Sequence, residues 1–416
     1  MHTLVGEADR CRTANNHMVQ MTLNRHLLEW KKVVSYRFPH LSLPQVNGLA
    51  TWSFGMVMTK SSSLTRVSNL IAKINQEKEN TVRQRLKEWY KEAEAKAKKG
   101  NKRVSLEVTE CFASLLRWIV DVLPPTTQEL VIALDATCVG QNFTVLSINV
   151  LIAGSGIPVA WKIVKATQKG SWKPYWKELL SALKEIVPTT WQVIVAADRG
   201  LYADWLYQEI VNNGWHPFLR INHQGQYQIS GSSSWHPLAT VVDCDGISWS
   251  SLVRCFKTNT IECTLLARWE PNYKDPWLIL TDLNPWESQI DWYGFRSWIE
   301  CSYRDIKSDG WQWQRTRLVS PQRAERHWLA MAVALLWTIS LGGQGEQPVS
   351  FTEHREIEEK TINTSFAPPV SPRLSYFVDG LLTIVARLLN DQSLTFGKLF
   401  PSPFNTSSCF AVSDSS

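Results

Sequence analysis

The feature that most constrains this chain is a change of periodicity at Pro124 and Pro125. Beyond them, short apolar runs rich in β-branched residues follow one another: 130–134, 144–153 and 157–164, the last two split by Gly154 and Gly156. A helical segment is expected over 174–186, then a strand over 192–197, a helix over 202–213 and a short strand over 217–221. The three strands in quick succession over 130–164 suggest a meander.

The order βββαβαβ is that of a ribonuclease-H-like fold, an α/β architecture with a mixed sheet and flanking helices. Residues 223–288 break the order. They are turn-rich and β-like, with strands expected at 224–231, 240–242, 250–256, 262–269 and 277–280, and read as a β-rich insertion. Helical periodicity returns over 289–308, stops at Gly310 and resumes after Ser320 and Pro321, which suit an N-cap and first helical position. This division expects a helical region over 1–125, a catalytic core in two parts, 126–222 and 289–343, around the insertion, and an interaction region over 344–416 with an apolar patch at 376–389. With 416 residues, two to four structural units are expected.

The first region reads as a DNA-binding module. Helices are expected over 43–58 and 64–74, then a charged one over 80–99. That last helix carries Arg83, Arg85, Lys87, Lys91, Lys96, Lys98 and Lys99, with Lys102 and Arg103 beyond it, and could track a phosphate backbone. The plainer alternative is a solvated face, because Glu77, Glu79, Glu88, Glu92 and Glu94 interleave at pairing distance. The net charge of +6, from 44 Lys and Arg against 38 Asp and Glu, favours polyanionic partners only weakly. Eight scattered Cys without a C-x-x-C pair read as reduced thiols in a cytoplasmic protein. The first residues lack the apolar run of an export signal, and the apolar stretch 327–343 reads as a buried core helix rather than a membrane span.

Two carboxylates stand out. Asp135 ends the apolar run 131–134 and Asp198 ends 193–197, so each is placed at the C-terminal edge of a buried strand, where sites gather in α/β sheets. If the strands are neighbours the carboxylates converge and repel unless cations lie between them, an arrangement that holds divalent metals. Either Asp alone could instead be a turn or cap residue. The segment DWYGFRSWIECSYRDIK supplies a third acid. At about 100° per residue, Tyr293, Arg296, Glu300 and Lys307 share an arc of about 60°, and Arg304 extends the positive patch. A surface helix laced with Glu300–Arg296 and Glu300–Arg304 pairs, each worth about 0.3 to 0.5 kcal/mol, is the alternative reading of that geometry.

These residues resemble the DDE transposases of insertion-sequence family four, whose signature is Y-x2-R-x3-E-x6-K: here Tyr293, Arg296, Glu300 and Lys307. ALDAT around Asp135, ADRG around Asp198, and GWQWQRTR followed by PQRAERHWLAMAVAL are similar too, so the resemblance covers about residues 125–340. It implies a nuclease and strand transferase that cuts DNA at the ends of a mobile element and joins them elsewhere. Asp135, Asp198 and Glu300 would hold two Mg2+ ions, with Mn2+ able to substitute. Tyr293, Arg296, Arg304 and Lys307 would bind DNA phosphates. The resemblance further implies double-stranded DNA partners, both the element's terminal inverted repeats and the target, a homodimer in the synaptic complex, no membrane, and an insertion that supports hairpin formation or a flipped base. Trp235, Trp249, Trp269 and Trp277 offer stacking faces, though core packing explains most of the 21 Trp. Two other readings are a transposase-derived DNA binder that no longer cuts, and a two-carboxylate glycoside hydrolase, which leaves the basic face of the Glu300 segment unexplained.

Overall fold

The computed structural model describes residues 23–96, 104–342 and 374–399, apart from 153, 169, 171, 272 and 395. The expectations for Lys98, Lys99, Lys102 and Arg103, and for most of the C-terminal region, lie outside the described residues.

Ten strands form one mixed sheet in the order β3-β2-β1-β4-β5-β10-β9-β8-β6-β7. Strands β1 (Glu129–Val139), β2 (Phe143–Ile152) and β3 (Ser155–Lys165) make the expected antiparallel meander. Strand β4 (Gln192–Ala197) pairs parallel to β1, and β5 (His216–Arg220) pairs parallel to β4. β1 runs five residues beyond its apolar core, because Ala136 to Val139 stay paired with β2 after the β4 ladder stops. Asp135 therefore sits inside a strand and not at its end.

The stretch expected as an insertion extends this same sheet. Strand β10 (Trp277–Thr281) lies antiparallel to β5, followed outward by β9 (Ile261–Arg268), β8 (Ser248–Cys255), β6 (Gln226–Ile229) and the two-residue β7 (His236–Pro237). No strand forms over 240–242, where Leu238–Thr240 is instead a single 3-10 turn. Pro237 opens that turn and the Thr240 hydroxyl bonds back to its carbonyl, which competes with strand pairing.

Helices α1 (23–37), α2 (Leu43–Thr59), α3 (Leu64–Asn75), α4 (Glu79–Trp89) and α5 (Thr109–Val122) precede the sheet; α6 (Lys173–Ser181) and α7 (Asp204–Asn212) connect its strands. α4 is shorter than its charge pattern predicts. Trp89 turns inward to donate to the Gln45 carbonyl, and Glu92 leaves the helical path to bind Arg323, so long-range contacts outweigh pairs worth tenths of a kcal/mol.

The core helix is α9 (Pro321–Leu341), started as expected by Ser320, whose hydroxyl accepts from the Arg323 amide. From Arg326 to Leu341 every side chain is buried, so the helix is apolar all round because protein surrounds it. β3, α2 and α10 (Tyr376–Leu389) pack on it, Trp30 of α1 stacks on Trp337 at 4.1 Å, and the apolar patch 376–389 is thereby a docked helix. No helix of the described residues is long and apolar enough to cross a membrane.

Candidate functional site: an acidic cluster at the end of a parallel ladder

The β1–β4 ladder ends with Leu134 opposite Ala197. The next residue of β1 is Asp135, and the first residue after β4 is Asp198. Side chains of residues in register on parallel neighbours leave the same face, and the strands are about 4.8 Å apart, so the two carboxylates are brought together by the register.

The third acid comes from above. Residues 290–309 are one continuous but uneven helical segment: a 3-10 stretch (Ile290–Ser297), a short α-helix, α8 (Trp298–Arg304), and a π turn (Asp305–Asp309). The expected uniform α-helix is not formed, and the single-face arithmetic holds only locally, where Arg296 and Glu300 are four residues apart. α8 is held close to the sheet at Gly156 of β3, where an added Cβ would come within 3.2 Å of the Ile299 Cα. The Gly156 amide donates to the Ser302 hydroxyl.

Arg296 is the centre of the cluster. Its Nη2 donates to Asp135 Oδ1 at 3.0 Å and lies 3.7 Å from Asp198 Oδ2, while Nη1 lies 3.7 Å from Glu300 Oε1. Burial works against the Arg296 charge, but Tyr293, Asp198, Asp135 and Glu300 outweigh it and raise its pKa above the usual arginine value. Burial also raises the Asp135 pKa, with Arg296 opposing and the Asp198 charge adding to the rise. Tyr293 Oη donates to Asp198 Oδ1 at 3.5 Å, and burial pushes its phenol well above the ordinary range, so it stays a neutral donor. Glu300 differs from the two Asp in being 73% exposed, which leaves its carboxylate free to change rotamer.

Lys307 Nζ donates to the Thr137 hydroxyl at 2.6 Å and lies 5.2 Å from the Tyr303 ring centroid; burial lowers its pKa. Arg304 does not join the cluster. It is 61% exposed and pairs with Asp309 at 3.6 Å, so the Glu300–Arg304 pair of the alternative surface-helix reading does not form.

Several residues here were not anticipated. Arg220, ending β5 beside Asp198, has Nη1 3.9 Å from Asp198 Oδ1. Beneath Asp135, the buried Tyr303 hydroxyl shares a 2.6 Å hydrogen bond with Ser147, which also accepts from Asn149 Nδ2 at 2.9 Å. The signal for these was Ser147 and Asn149 at period two in the otherwise apolar run of β2, with Ser147 directly opposite Asp135. Of the four candidate Trp, only Trp277 touches a signature residue: its ring centroid is 5.3 Å from that of Tyr293. Trp235 lies near Lys257, Trp249 against Tyr227, and the Trp269 indole donates to the Tyr273 carbonyl.

Among the described residues, no three Asp, Glu, His or Cys side chains close around one point at metal-ligand distance. The positive charge between the carboxylates is that of Arg296. The donor set itself is all carboxylate oxygen, which fits a hard divalent cation and not zinc. Asp135 and Asp198 are already adjacent and Glu300 is free to turn, so the residues fit such a group.

Fold and site together define an α/β protein with an acidic centre where parallel pairing ends in a mixed sheet. Comparison with family models goes further: the model described as the transposase DDE domain matches residues 126–337, just over half of the chain, and this chain belongs to that family. It is thus a transposase of the DDE type, in a family that acts on DNA and generally uses divalent metal ions. A search of curated proteins finds no match.

Proposed function

We propose that this transposase cuts DNA at the ends of an insertion sequence of family four and joins them to a target, with Asp135, Asp198 and Glu300 as its catalytic carboxylates. The observation that carries the reading is that one guanidinium, that of Arg296, lies within 4 Å of all three acids although they are spread over 165 residues of sequence. Support for a ribonuclease-H-like core comes from the strand order 3-2-1-4-5, with an antiparallel meander followed by two parallel strands.

The three carboxylates would hold two Mg2+ ions, for which Mn2+ could substitute. Bound there, the ions would activate a water or 3'-hydroxyl and stabilise the leaving oxygen. The chain's own side chains do the rest. Arg296, released from the carboxylates when cations take over their charge, has a planar fork that suits a phosphate bidentately. Lys307, fixed by Thr137 and the Tyr303 ring, places a point charge on the same side. Tyr293 offers a neutral hydroxyl, and Trp277 against it is the best-placed face for a base displaced near the cut. Residues 1–125 would bind the element's ends, and a homodimer would bring two ends together. Arg304, turned toward Asp309, is at most a peripheral phosphate contact.

The test is Mg2+-dependent nicking of a duplex carrying the element's own ends, with Glu300→Gln as control. Nicking at the ends by the wild-type chain and none by the variant is expected. Binding of the ends without any cutting would show a binder that has lost its chemistry.

A further inference from the structure

We propose that a basic recess between the N-terminal helices and the segment after the acidic helix is a second DNA-backbone site, which grips phosphodiesters away from the catalytic carboxylates. The proposal rests on the DNA-acting reading above. The recess has a volume of about 630 Å³. Five cations line it: Arg66 of α3, Arg83 and Lys87 of α4, and Arg315 and Arg317 of the segment before α9. No Asp or Glu is among its lining residues, and none of them belongs to the acidic cluster.

The charge is not spent internally. Arg85 is bound to Glu77, Lys91 to Glu88, and Lys96 to the Val104 carbonyl. Arg83 and Lys87, one helical turn apart, face the recess instead, where Arg83 touches only the Thr65 hydroxyl. All five cations are exposed, and none forms an ion pair among the described residues. Five unpaired like charges, from the neighbouring α3 and α4 and from the distant residues 315–317, repel one another, a cost that an anionic partner removes. The Ser61–Ser63 turn and the first turn of α3 lie on the same wall, adding the positive end of a helix.

The occupant favoured is a polymer backbone rather than a compact anion, because the cations stand exposed around an opening and are not buried around a point. The mounting of the recess adds to this. The Trp311 carbonyl accepts from the Ser62 amide at 2.8 Å, and the Trp313 indole donates to His327 at 3.1 Å on the recess floor. Trp311 follows the π turn that carries Lys307, so DNA held in the recess is held in fixed relation to the acidic cluster.

The experiment measures binding of the full chain to a labelled duplex by fluorescence anisotropy across a salt series. Arg83→Ala/Lys87→Ala and Arg315→Ala/Arg317→Ala are compared with Lys177→Ala/Lys184→Ala, which removes the same charge from residues already bonded elsewhere. Each recess pair should weaken binding alike for end-bearing and unrelated duplexes. Each should also reduce the slope of log K against log salt by about 0.9 per lost phosphate contact, with the melting temperature unchanged. The control pair should leave the slope as it is. Wild-type binding with unchanged slopes in the recess variants, or an equal loss in the control, overturns the second site while leaving the transposase reading intact. A wild-type chain that binds no duplex overturns both.

Discussion

Arg296 and Asp135, 161 residues apart in sequence, meet in a hydrogen bond of 3.0 Å that joins the acidic helix to the first strand of its sheet. The guanidinium neutralises a carboxylate that burial is pushing toward its protonated form. Arg296→Gln keeps a donor but removes the charge, so the Asp135 pKa should rise further. Titration of the Asp carboxyl carbons by NMR in metal-free protein checks this; an unmoved Asp135 would mean that the charge of Arg296 does not reach it.

If the three acids hold the metal ions as proposed, Asp135→Asn, Asp198→Asn and Glu300→Gln should each lower cleavage by on the order of 10³-fold or more, a loss of several kcal/mol of charge stabilisation. Binding of end-bearing duplex should persist. Calorimetry with Mn2+ separates the roles: each variant should lose heat of metal binding. A variant that cleaves normally is not one of the catalytic acids.

Much of this site was legible because it is built from local signals. Asp135 and Asp198 each follow an apolar run, and Arg296 and Glu300 stand four residues apart, so they fall on one side of the helical segment. What was not legible depends on long-range contacts. Nothing near Glu92 announces that Arg323 will draw it off α4, and nothing in 223–288 tells whether its strands close on themselves or join β5 through β10. The even mixture of charges over 77–94 likewise hid a division, Arg85 and Lys91 paired and Arg83 and Lys87 not, which only packing against α3 and residues 315–317 decides.

Asp305, in the π turn between Glu300 and Lys307, is buried, and desolvation raises its pKa to about 7. Its folded value lies above its unfolded one, near 3.8. Its protonated form therefore contributes stability that is full below about pH 4 and is lost as pH rises through 7, at up to about 1.4 kcal/mol per pH unit. Asp305→Asn should flatten the urea-unfolding stability between about pH 4 and 7, and should be the more stable protein above pH 7. Parallel pH profiles for the two proteins would contradict the assignment.

Arg326 is 6% exposed and donates to the Leu106 carbonyl at 2.8 Å and the Tyr90 carbonyl at 3.2 Å, with Glu92 3.7 Å away. It ties α9 to the chain on either side of residues 97–103. Arg326→Ala strands two buried carbonyls and leaves a cavity, and should cost on the order of 3 kcal/mol in urea denaturation. Arg25→Ala, an exposed pair on the surface, should cost less than about 1 kcal/mol.

Gly156 sets how closely the acidic helix approaches the sheet. Its missing side chain admits the backbone of Ile299, the residue before Glu300, and its amide is bonded to Ser302, two residues after. A Cβ at 3.2 Å from the Ile299 Cα, and within 3.4 Å of Leu151 and Asn149, needs a shift of a few tenths of an ångström, and a valine, which adds two methyls to that Cβ, needs more. α8 must then lift, carrying Glu300 away from Asp135 and Asp198, which are fixed to strands and cannot follow. A displacement of about 1 Å at a reacting centre costs about a hundredfold in rate, so Gly156→Val should lower cleavage by about that factor while duplex affinity, assigned by the proposal above to exposed cations elsewhere, holds. Gly156→Ala should fall between the two. Loss of duplex binding in step with cleavage would mean that the substitution unfolds the core and says nothing of the placement of Glu300; normal cleavage by Gly156→Val would mean that the helix has room to spare.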